Sequence, residues 1–212
     1  MKLESKLPGS KTSIFSVMSK MAHEYDAINL SQGFPNFETD RKLKELVTKA
    51  MRDGHNQYPP DAGVLELREM ISQKFNDLYG RYYKPETEIT ITSGATEALY
   101  NSITAFVQKD EEVVVLKPAY DSYEPTIQLA GGIPIQIQLK GSDYKVDWEE
   151  VAKAITNRTR MIIINTPHNP TGTVLSKEDM LKLQKLLKDT NIILLSDEVY
   201  QHLIFDGRLH QS

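Results

Sequence analysis

Short runs of β-branched residues alternate with helical segments from residue 88 onward, and this alternation limits the possible folds more than any other feature. The runs are "EITIT", "EVVVL", "IPIQIQL", "RMIIIN" and "NIILL". Helical stretches begin near Gly94, Asp121, Asp147 and Ser176, the last with a capping-box pattern to Asp179. Because strands separated by helices require crossovers, the sequence predicts a three-layer α/β/α fold around a mainly parallel sheet.

The first 80 residues carry a different pattern, in which apolar residues recur at helical spacing. This spacing predicts one helix within residues 11–25, a second from Thr39 to about Gly54, and a third over residues 64–79 that ends at Gly80. We find no internal repeat and no low-complexity linker.

Composition excludes several classes of protein. The chain has 212 residues, of which 40% are hydrophobic and 25% charged, as in ordinary globular proteins. It has no cysteine, which rules out disulfides, zinc–thiolate sites and thiol nucleophiles. A net charge of -4 argues against a nucleic-acid surface. No apolar run approaches the roughly 18 residues of a membrane span, and "MKLESKLPGSK" lacks the apolar segment of a secretory signal. We therefore expect a cytoplasmic location and no membrane partner.

Parallel sheets bind ligands at the carboxyl ends of their strands, so the residues after each run are the candidate site. Gly94, Ala95 and Thr96 follow the first run and open a helix. Free backbone N–H groups at a helix N-terminus attract phosphate. The same residues also fit a tight turn with Ser93 as the helix cap, and the fragment alone leaves both interpretations open.

The next two strand ends supply an aromatic ring and an amide. Tyr120 fits either a plate stacked on a planar ligand or a partly buried core residue. Pro167 and Pro170 stiffen the loop that carries Asn169, and a rigid loop suits an amide aimed at a fixed acceptor. We interpret His168 in this loop as a packing residue, not as a base.

Asp197 ends the last apolar run. A buried carboxylate is costly unless it meets a cation or hydrogen-bond donors, so Asp197 is a candidate partner for a protonated ring nitrogen. Glu198 and His202 could share a metal, but further ligands at a recognisable spacing are missing, and we predict no metal site. Together the four strand ends describe a site for a flat, phosphorylated heterocycle with a protonatable nitrogen.

The motifs "SQGFPNF", "NQYPPDAG", "TSGATEAL", "KPAYDSYEP", "NTPHNPTG" and "LSDEVYQHL" resemble the N-terminal half of the class I aminotransferases. "INLSQGFPNF" and "TPHNPTG" are most similar to the methionine/kynurenine type. The resemblance implies the fold-type I architecture and pyridoxal phosphate as cofactor. It also implies that residues 1–40 form an N-terminal arm for the small domain and dimer contacts. Residues 41–212 would then be the first part of an incomplete large domain.

Four residues are implied to hold the cofactor phosphate. Gly94, Ala95 and Thr96 would bind it through backbone and hydroxyl groups. Tyr58 in "NQYPP" would reach the phosphate of a neighbouring subunit, and this implies a homodimer.

The resemblance assigns the cofactor ring to other residues. Tyr120 would stack on the pyridine ring, Asn169 and Tyr200 would hydrogen-bond its ring oxygen, and Asp197 would pair with the pyridinium nitrogen. Gly33 would lie near the substrate carboxylate.

The resemblance also implies a Schiff-base lysine in a serine-rich motif and a C-terminal arginine that clamps the substrate carboxylate. Neither motif occurs in the sequence. Ser19-Lys20 and Ser176-Lys177 imitate the lysine motif, but both fit solvated helix residues better. We therefore expect no catalytic residue in these 212 residues, a lysine beyond Ser212, and no transamination by this piece alone.

Transamination between a methionine-like or aromatic amino acid and a 2-oxo acid is the leading interpretation. A pyridoxal-phosphate lyase that eliminates a β-substituent, such as a C–S lyase, would use the same cofactor residues. A non-catalytic cofactor-binding module is a third interpretation. A dinucleotide-binding domain would need a glycine fingerprint that "TSGATEAL" does not supply.

Overall fold

The structure is a computed structural model that describes residues 4–9, 12–33 and 35–212. Lys11, which opens the first predicted helical segment, and Phe34 of the "SQGFPNF" motif lie outside the described residues. The chain divides into two compact units, Lys11–Ile91 and a second one made of Met1–Ser10 and Thr92–Ser212. The domain boundary predicted at residue 40 stays a prediction.

Helices dominate the Lys11–Ile91 unit, and all three predicted helices are confirmed. They are α1 (Ile14–Glu24), α2 (Arg41–Arg52) and α3 (Leu65–Tyr79). The carboxylate of Asp40 caps α2 by accepting from two backbone N–H groups. Gly80 ends α3 in the left-handed conformation at φ 67°, where glycine has no steric penalty.

A buried arginine orders the loop that follows Tyr58 in the same unit. Arg68 of α3 donates from Nε to the Gly63 carbonyl oxygen at 3.1 Å and from Nη1 to the Pro85 carbonyl oxygen at 2.7 Å. Gly63 itself has φ 92°, and a Cβ there would lie 2.4 Å from Ile91 Cγ1. No larger residue fits at position 63 without a backbone shift.

The second unit contains a four-stranded parallel sheet. Its elements in chain order are α4 (Ala95–Phe106), β1 (Glu112–Lys117), α5 (Tyr123–Leu129), β2 (Ile133–Gln138), α6 (Trp148–Ala154), β3 (Thr159–Asn165), α7 (Lys177–Leu187) and β4 (Ile193–Asp197). The strand order is β2-β1-β3-β4, and each neighbouring pair is parallel. The capping box predicted at the start of α7 is present.

Side chains that alternate along β1 and β3 divide the core between the two faces of the sheet. On one face Val113 and Met161 pack against α4 and α5. On the other face Val114 and Ile162 pack against α6 and α7. Helices therefore cover both faces, and the predicted α/β/α fold with a parallel sheet is confirmed.

The run "EITIT" was predicted as a strand, and this prediction is wrong. Residues 88–92 are irregular, and Ile91 N donates to the Ala62 carbonyl oxygen at 3.0 Å. β-Branched residues favour a strand only where a neighbouring strand supplies a ladder, and among the described residues none pairs with this run.

Within the same described residues, the helices are too short or too polar to cross a membrane.

A buried carboxylate stabilises the start of β1. Glu112 accepts from Arg158 Nη2 at 2.5 Å and from Thr156 Oγ1 at 2.5 Å. Replacing it by glutamine keeps its shape but removes its charge. We expect Glu112→Gln to lower the free energy of unfolding by about 1 kcal/mol, because Arg158 is half exposed and water replaces part of the lost pairing. Urea denaturation measures this, with the exposed Glu69→Gln as control. Equal stability of the two variants would contradict it.

Candidate active site

The carboxyl ends of the strands and the start of α4 surround a pocket of about 160 Å³. Predicted site residues form most of its wall: Ala95, Thr96, Tyr120, Asn169, Asp197 and Tyr200. Leu99, Asn165 and Val199 complete the lining and were not predicted. The fold thus brings together the start of α4 and the carboxyl ends of β1, β3 and β4, which are far apart in the sequence.

The N-terminus of α4 supplies backbone donors to this pocket. Gly94 is the N-cap, with φ 88°, and no side chain caps the helix. The Ser93 N–H bonds to the carboxylate of Glu97, so Ser93 is not the cap that the turn interpretation required. An α-helix N-terminus without a side-chain cap favours an anion there.

Asp197 lies at the other side of the pocket, at the last position of β4. Its Oδ2 accepts from Tyr123 Oη at 2.7 Å, and its Oδ1 accepts from Val199 N at 3.2 Å. Both donors are neutral. A half-buried carboxylate held only by neutral donors keeps its charge available for a cationic group of a ligand.

Tyr123 was missed in the sequence, where it fits an ordinary core position of α5. The side chain is buried, and its ring lies edge-on to Tyr120 at 5.8 Å between centroids. Burial, and then the hydrogen bond to Asp197, raises the pKa of Tyr123 far above its usual range. The phenol is therefore neutral at any physiological pH and always donates to the carboxylate.

Tyr120 and Thr96 face each other across the pocket. Their hydroxyl oxygens lie 3.4 Å apart, so the aromatic ring is tied to the first turn of α4. This contact places Tyr120, which is predicted to stack on the cofactor ring, beside Thr96, which is predicted to bind the cofactor phosphate.

Asn165 at the end of β3 holds the Asn169 loop and β4 in place. Its Nδ2 donates to the Asp197 carbonyl oxygen at 2.8 Å, and its Oδ1 accepts from Asn169 N at 2.6 Å. Asn165 is buried and uses both ends of its amide for these bonds. The two predicted residues Asn169 and Asp197 are thus joined through a residue that the sequence did not single out.

His168 belongs to the framework of that loop. Its backbone N donates to the Thr173 carbonyl oxygen at 2.8 Å, and its Nδ1 lies 2.8 Å from Thr171 Oγ1. Burial lowers the pKa of His168 below its ordinary value. The geometry matches the interpretation of His168 as a packing residue.

We expect the stability to fall as the pH drops through about 6.5, partly because of His168. A histidine whose pKa is lowered in the folded state contributes stability above its unfolded pKa and loses it as the pH falls through the folded value. Urea unfolding at about pH 7.5 and 5.5 measures the loss. His168→Gln should reduce the loss, whereas His202→Gln, at an exposed position, should not. An equal loss in both variants would contradict the assignment.

Tyr200 lies in a turn after β4, not on a helix. Glu198 consequently does not meet His202, and its Oε2 lies 2.8 Å from His210 Nε2. In the part of the chain that the structure describes, no group of three or more acidic, histidine or cysteine side chains could hold a metal ion.

Gly33 and Tyr58 belong to the Lys11–Ile91 unit. Tyr58 is 99% exposed, and a Cβ at Gly33 would meet nothing within 4 Å. Their proposed roles toward the substrate and a neighbouring subunit stay predictions.

Known proteins match this sequence along nearly the whole chain. Methionine aminotransferase of Escherichia coli (strain K12) is 46% identical over 209 residues, which are 99% of this chain and 54% of that protein. A probable N-succinyldiaminopimelate aminotransferase DapC of Mycobacterium tuberculosis is 38% identical over 208 residues, 97% of this chain and 52% of that protein. The chain thus spans about half the length of the curated relatives it matches.

Solved structures of aminotransferases are also similar to this chain over its whole length. The crystal structure of YbdL from Escherichia coli, identified as a methionine aminotransferase, has a TM-score of 0.96 at 45% identity and covers 100% of this chain and 56% of that one. An aspartate aminotransferase of Thermus thermophilus has a TM-score of 0.90 at 33% identity, again over 100% of this chain and 56% of that one.

The family model for "Aminotransferase class I and II" matches residues 25–212, which include every strand and the whole pocket. The cofactor known for that family is pyridoxal phosphate, an anion joined to a protonatable ring. The pocket of this chain has an uncapped helix N-terminus and a carboxylate held by neutral donors. The chain belongs to the class I and II aminotransferases.

Proposed function

We propose that this chain forms the pyridoxal-phosphate-binding part of an enzyme that transfers an amino group from an amino acid to a 2-oxo acid. The observation that carries the proposal is the pairing, in one pocket, of an uncapped helix N-terminus with a carboxylate held by neutral donors. A methionine-like donor is supported by the 46% identity to methionine aminotransferase, and an aromatic donor follows from the resemblance of the motifs to the kynurenine type. A cytoplasmic location remains the expectation from the sequence.

The first turn of α4 would hold the cofactor phosphate. Gly94 lets the backbone turn into the helix at a positive φ, and Ala95 and Thr96 follow with backbone N–H groups. The Thr96 hydroxyl adds a side-chain donor. An anion bound there also gains from the helix dipole.

The other wall would hold the pyridine ring. Tyr120 would stack on it, while Asn169 and Tyr200 would donate to its ring oxygen. Asp197 would keep a proton on the ring nitrogen, because a carboxylate next to that nitrogen raises its pKa. The bound cofactor supplies an electron sink for the carbanion left when a substrate α-proton departs.

The other residues of the proposed enzyme would come from the Lys11–Ile91 unit, from a second subunit and from outside residues 1–212. Tyr58 would reach the phosphate of a second subunit in a homodimer, and Gly33 would lie near the substrate carboxylate. We place the Schiff-base lysine outside residues 1–212, in the part of the relatives that this chain does not span. The chain alone would then bind the cofactor without transaminating.

Equilibrium dialysis of the chain with pyridoxal phosphate tests the proposal. We expect saturable binding of one molecule per chain, with weaker binding of pyridoxal, which lacks the phosphate. After borohydride reduction the intact mass should stay at 24.1 kDa, because we place the lysine needed for a stoichiometric imine outside this chain. Absence of saturable binding would overturn the proposal for this chain.

An assay of a longer protein that contains this sequence separates transamination from elimination. Keto-acid formation that requires a 2-oxo acid acceptor supports an aminotransferase. Release of ammonia and keto acid without an acceptor would instead identify a lyase with the same cofactor residues.

A further inference from the structure

Glu198 is a partly buried carboxylate that the proposed cofactor site does not use. Because side chains alternate along a strand, Ser196 and Glu198 point to the side opposite Asp197. Ser196 Oγ donates to Glu198 Oε1 at 2.7 Å, and this contact shows that the two side chains share that side. Asp197 lines the pocket, whereas Glu198 faces away from it.

The partners of Glu198 come from the far end of the segment that follows β4. His210 Nε2 lies 2.8 Å from Glu198 Oε2, with the histidine side chain 6% and the glutamate side chain 16% exposed. Ser212 Oγ donates to Glu198 Oε1 at 3.0 Å. These bonds connect residues 12 and 14 positions apart and close residues 199–209 into a loop.

This loop is mostly exposed in the described structure. It has no helix or strand, and its backbone bonds include short turns such as Leu203 N to the Tyr200 carbonyl oxygen at 2.7 Å. Three of its large apolar side chains, Leu203, Phe205 and Leu209, are exposed and contribute little packing, whereas Ile204 is half-buried. Segments with few buried contacts open readily unless their ends are tied.

The first two residues of the loop, Val199 and Tyr200, line the pocket. Tyr200 also lies close enough to Tyr123 to contribute, after burial and Asp197, to the raised pKa of that phenol. Interactions that fix the path of the backbone after Glu198 therefore also fix the position of Tyr200.

We infer that the Glu198–His210 pair is a clasp that closes residues 199–209 and holds Tyr200 in the pocket. Glu198 and His210 are then positioning residues that act through Tyr200. The part of this inference that concerns the cofactor rests on the proposed function, but the clasp itself does not.

Three histidine variants isolate the clasp. His210→Ala removes it, and His210→Gln keeps an N–H donor for Glu198. His202→Ala is the matched control, because His202 is exposed in the same loop. Circular dichroism checks that each variant folds, and Glu198→Gln replaces His210→Ala in the comparison if that variant does not.

Limited trypsin digestion measures how often the loop opens. Arg208 is exposed within it and provides the cleavage site. We expect cleavage after Arg208 to be about tenfold faster in His210→Ala, since one charge-assisted hydrogen bond is lost. His210→Gln should return most of the way to the wild-type rate, and His202→Ala should cleave at that rate.

Fluorine NMR of protein labelled with 3-fluorotyrosine reports on Tyr200 without any cofactor. The Tyr200 signal is identified by its disappearance in Tyr200→Phe. We expect it to shift or broaden in His210→Ala, to be restored in His210→Gln, and to be unchanged in His202→Ala.

Pyridoxal phosphate affinity links the clasp to the site. His210→Ala should weaken binding as much as Tyr200→Phe does, and the double variant should lose no more than either single one. A purely structural role for His210 would instead give additive losses.

The outcomes separate the two levels of the inference. Wild-type cleavage and an unchanged fluorine signal in His210→Ala would overturn the clasp. Faster cleavage with an unchanged Tyr200 signal, or additive losses of affinity, would overturn the positioning role. Expected proteolysis and fluorine results in a chain that does not bind pyridoxal phosphate would support the clasp and overturn the proposed function instead.

Discussion

Replacing Asp197 by alanine should weaken the binding of pyridoxal phosphate about a hundredfold. The substitution would leave the protonated ring nitrogen in a partly buried pocket without its counter-charge, and an unpaired charge in such a place costs several kcal/mol. It would also remove the acceptor of the Tyr123 hydroxyl. Equilibrium dialysis of the chain against the cofactor measures the change in the dissociation constant.

Two further variants assign the loss to the charge. Asp197→Asn keeps an oxygen that can accept from Tyr123, so it should preserve stability better than alanine but still lose most of the affinity. Asp77→Ala removes an exposed carboxylate of α3 and should bind like the wild type. If Asp197→Asn bound the cofactor as tightly as the wild type, the carboxylate charge would play no part in holding it.

The sequence was informative about this pocket because the fold repeats one geometric rule. In a parallel sheet every carboxyl strand end lies at the same edge, so residues such as Tyr120, Asn169 and Asp197 can be assigned to one site before any contact is known. The rule needs only the order of strands and helices, and local patterns indicate that order well. The pocket lining agrees with the assignment.

Side-chain contacts between distant elements could not be predicted from local sequence patterns. Tyr123 and Asp197 are 74 residues apart, and their bond depends on how α5 packs on the sheet. Likewise, the sequence indicates only that Asn165 is the last residue of a strand. In the structure it bonds both to the Asn169 loop and to β4. Neither residue type nor spacing distinguishes such a polar bridge from an ordinary core position.

The run "EITIT" is a case in which local composition predicted a strand that does not form. Its composition favours a strand as strongly as that of "EVVVL", but β1 has a strand on each side and residues 88–92 have none among the described residues. Strand formation depends on the partner more than on the run itself. A reading of local sequence cannot supply that partner.

Removing the Tyr123 hydroxyl should lower the free energy of unfolding by about 2 kcal/mol, because Tyr123→Phe leaves a half-buried carboxylate without one of its two donors. The effect should also depend on pH in one direction. Burial, and then the bond to Asp197, raises the pKa of Tyr123 in the folded protein above the ordinary value near 10. Stability from a group with a raised pKa is complete below the unfolded pKa and is lost as the pH rises above it.

The difference in stability between wild type and Tyr123→Phe should therefore be constant up to about pH 9 and shrink above about pH 10. Urea unfolding of both proteins across this range measures it, and other titrating groups cancel in the difference. Tyr82→Phe, at an exposed position, should show neither the loss at neutral pH nor the change at alkaline pH. A Tyr123→Phe variant as stable as the wild type at neutral pH would mean that the hydroxyl does not hold Asp197. A difference that stays constant to about pH 11 would mean that the phenol is not shielded in the way its burial indicates.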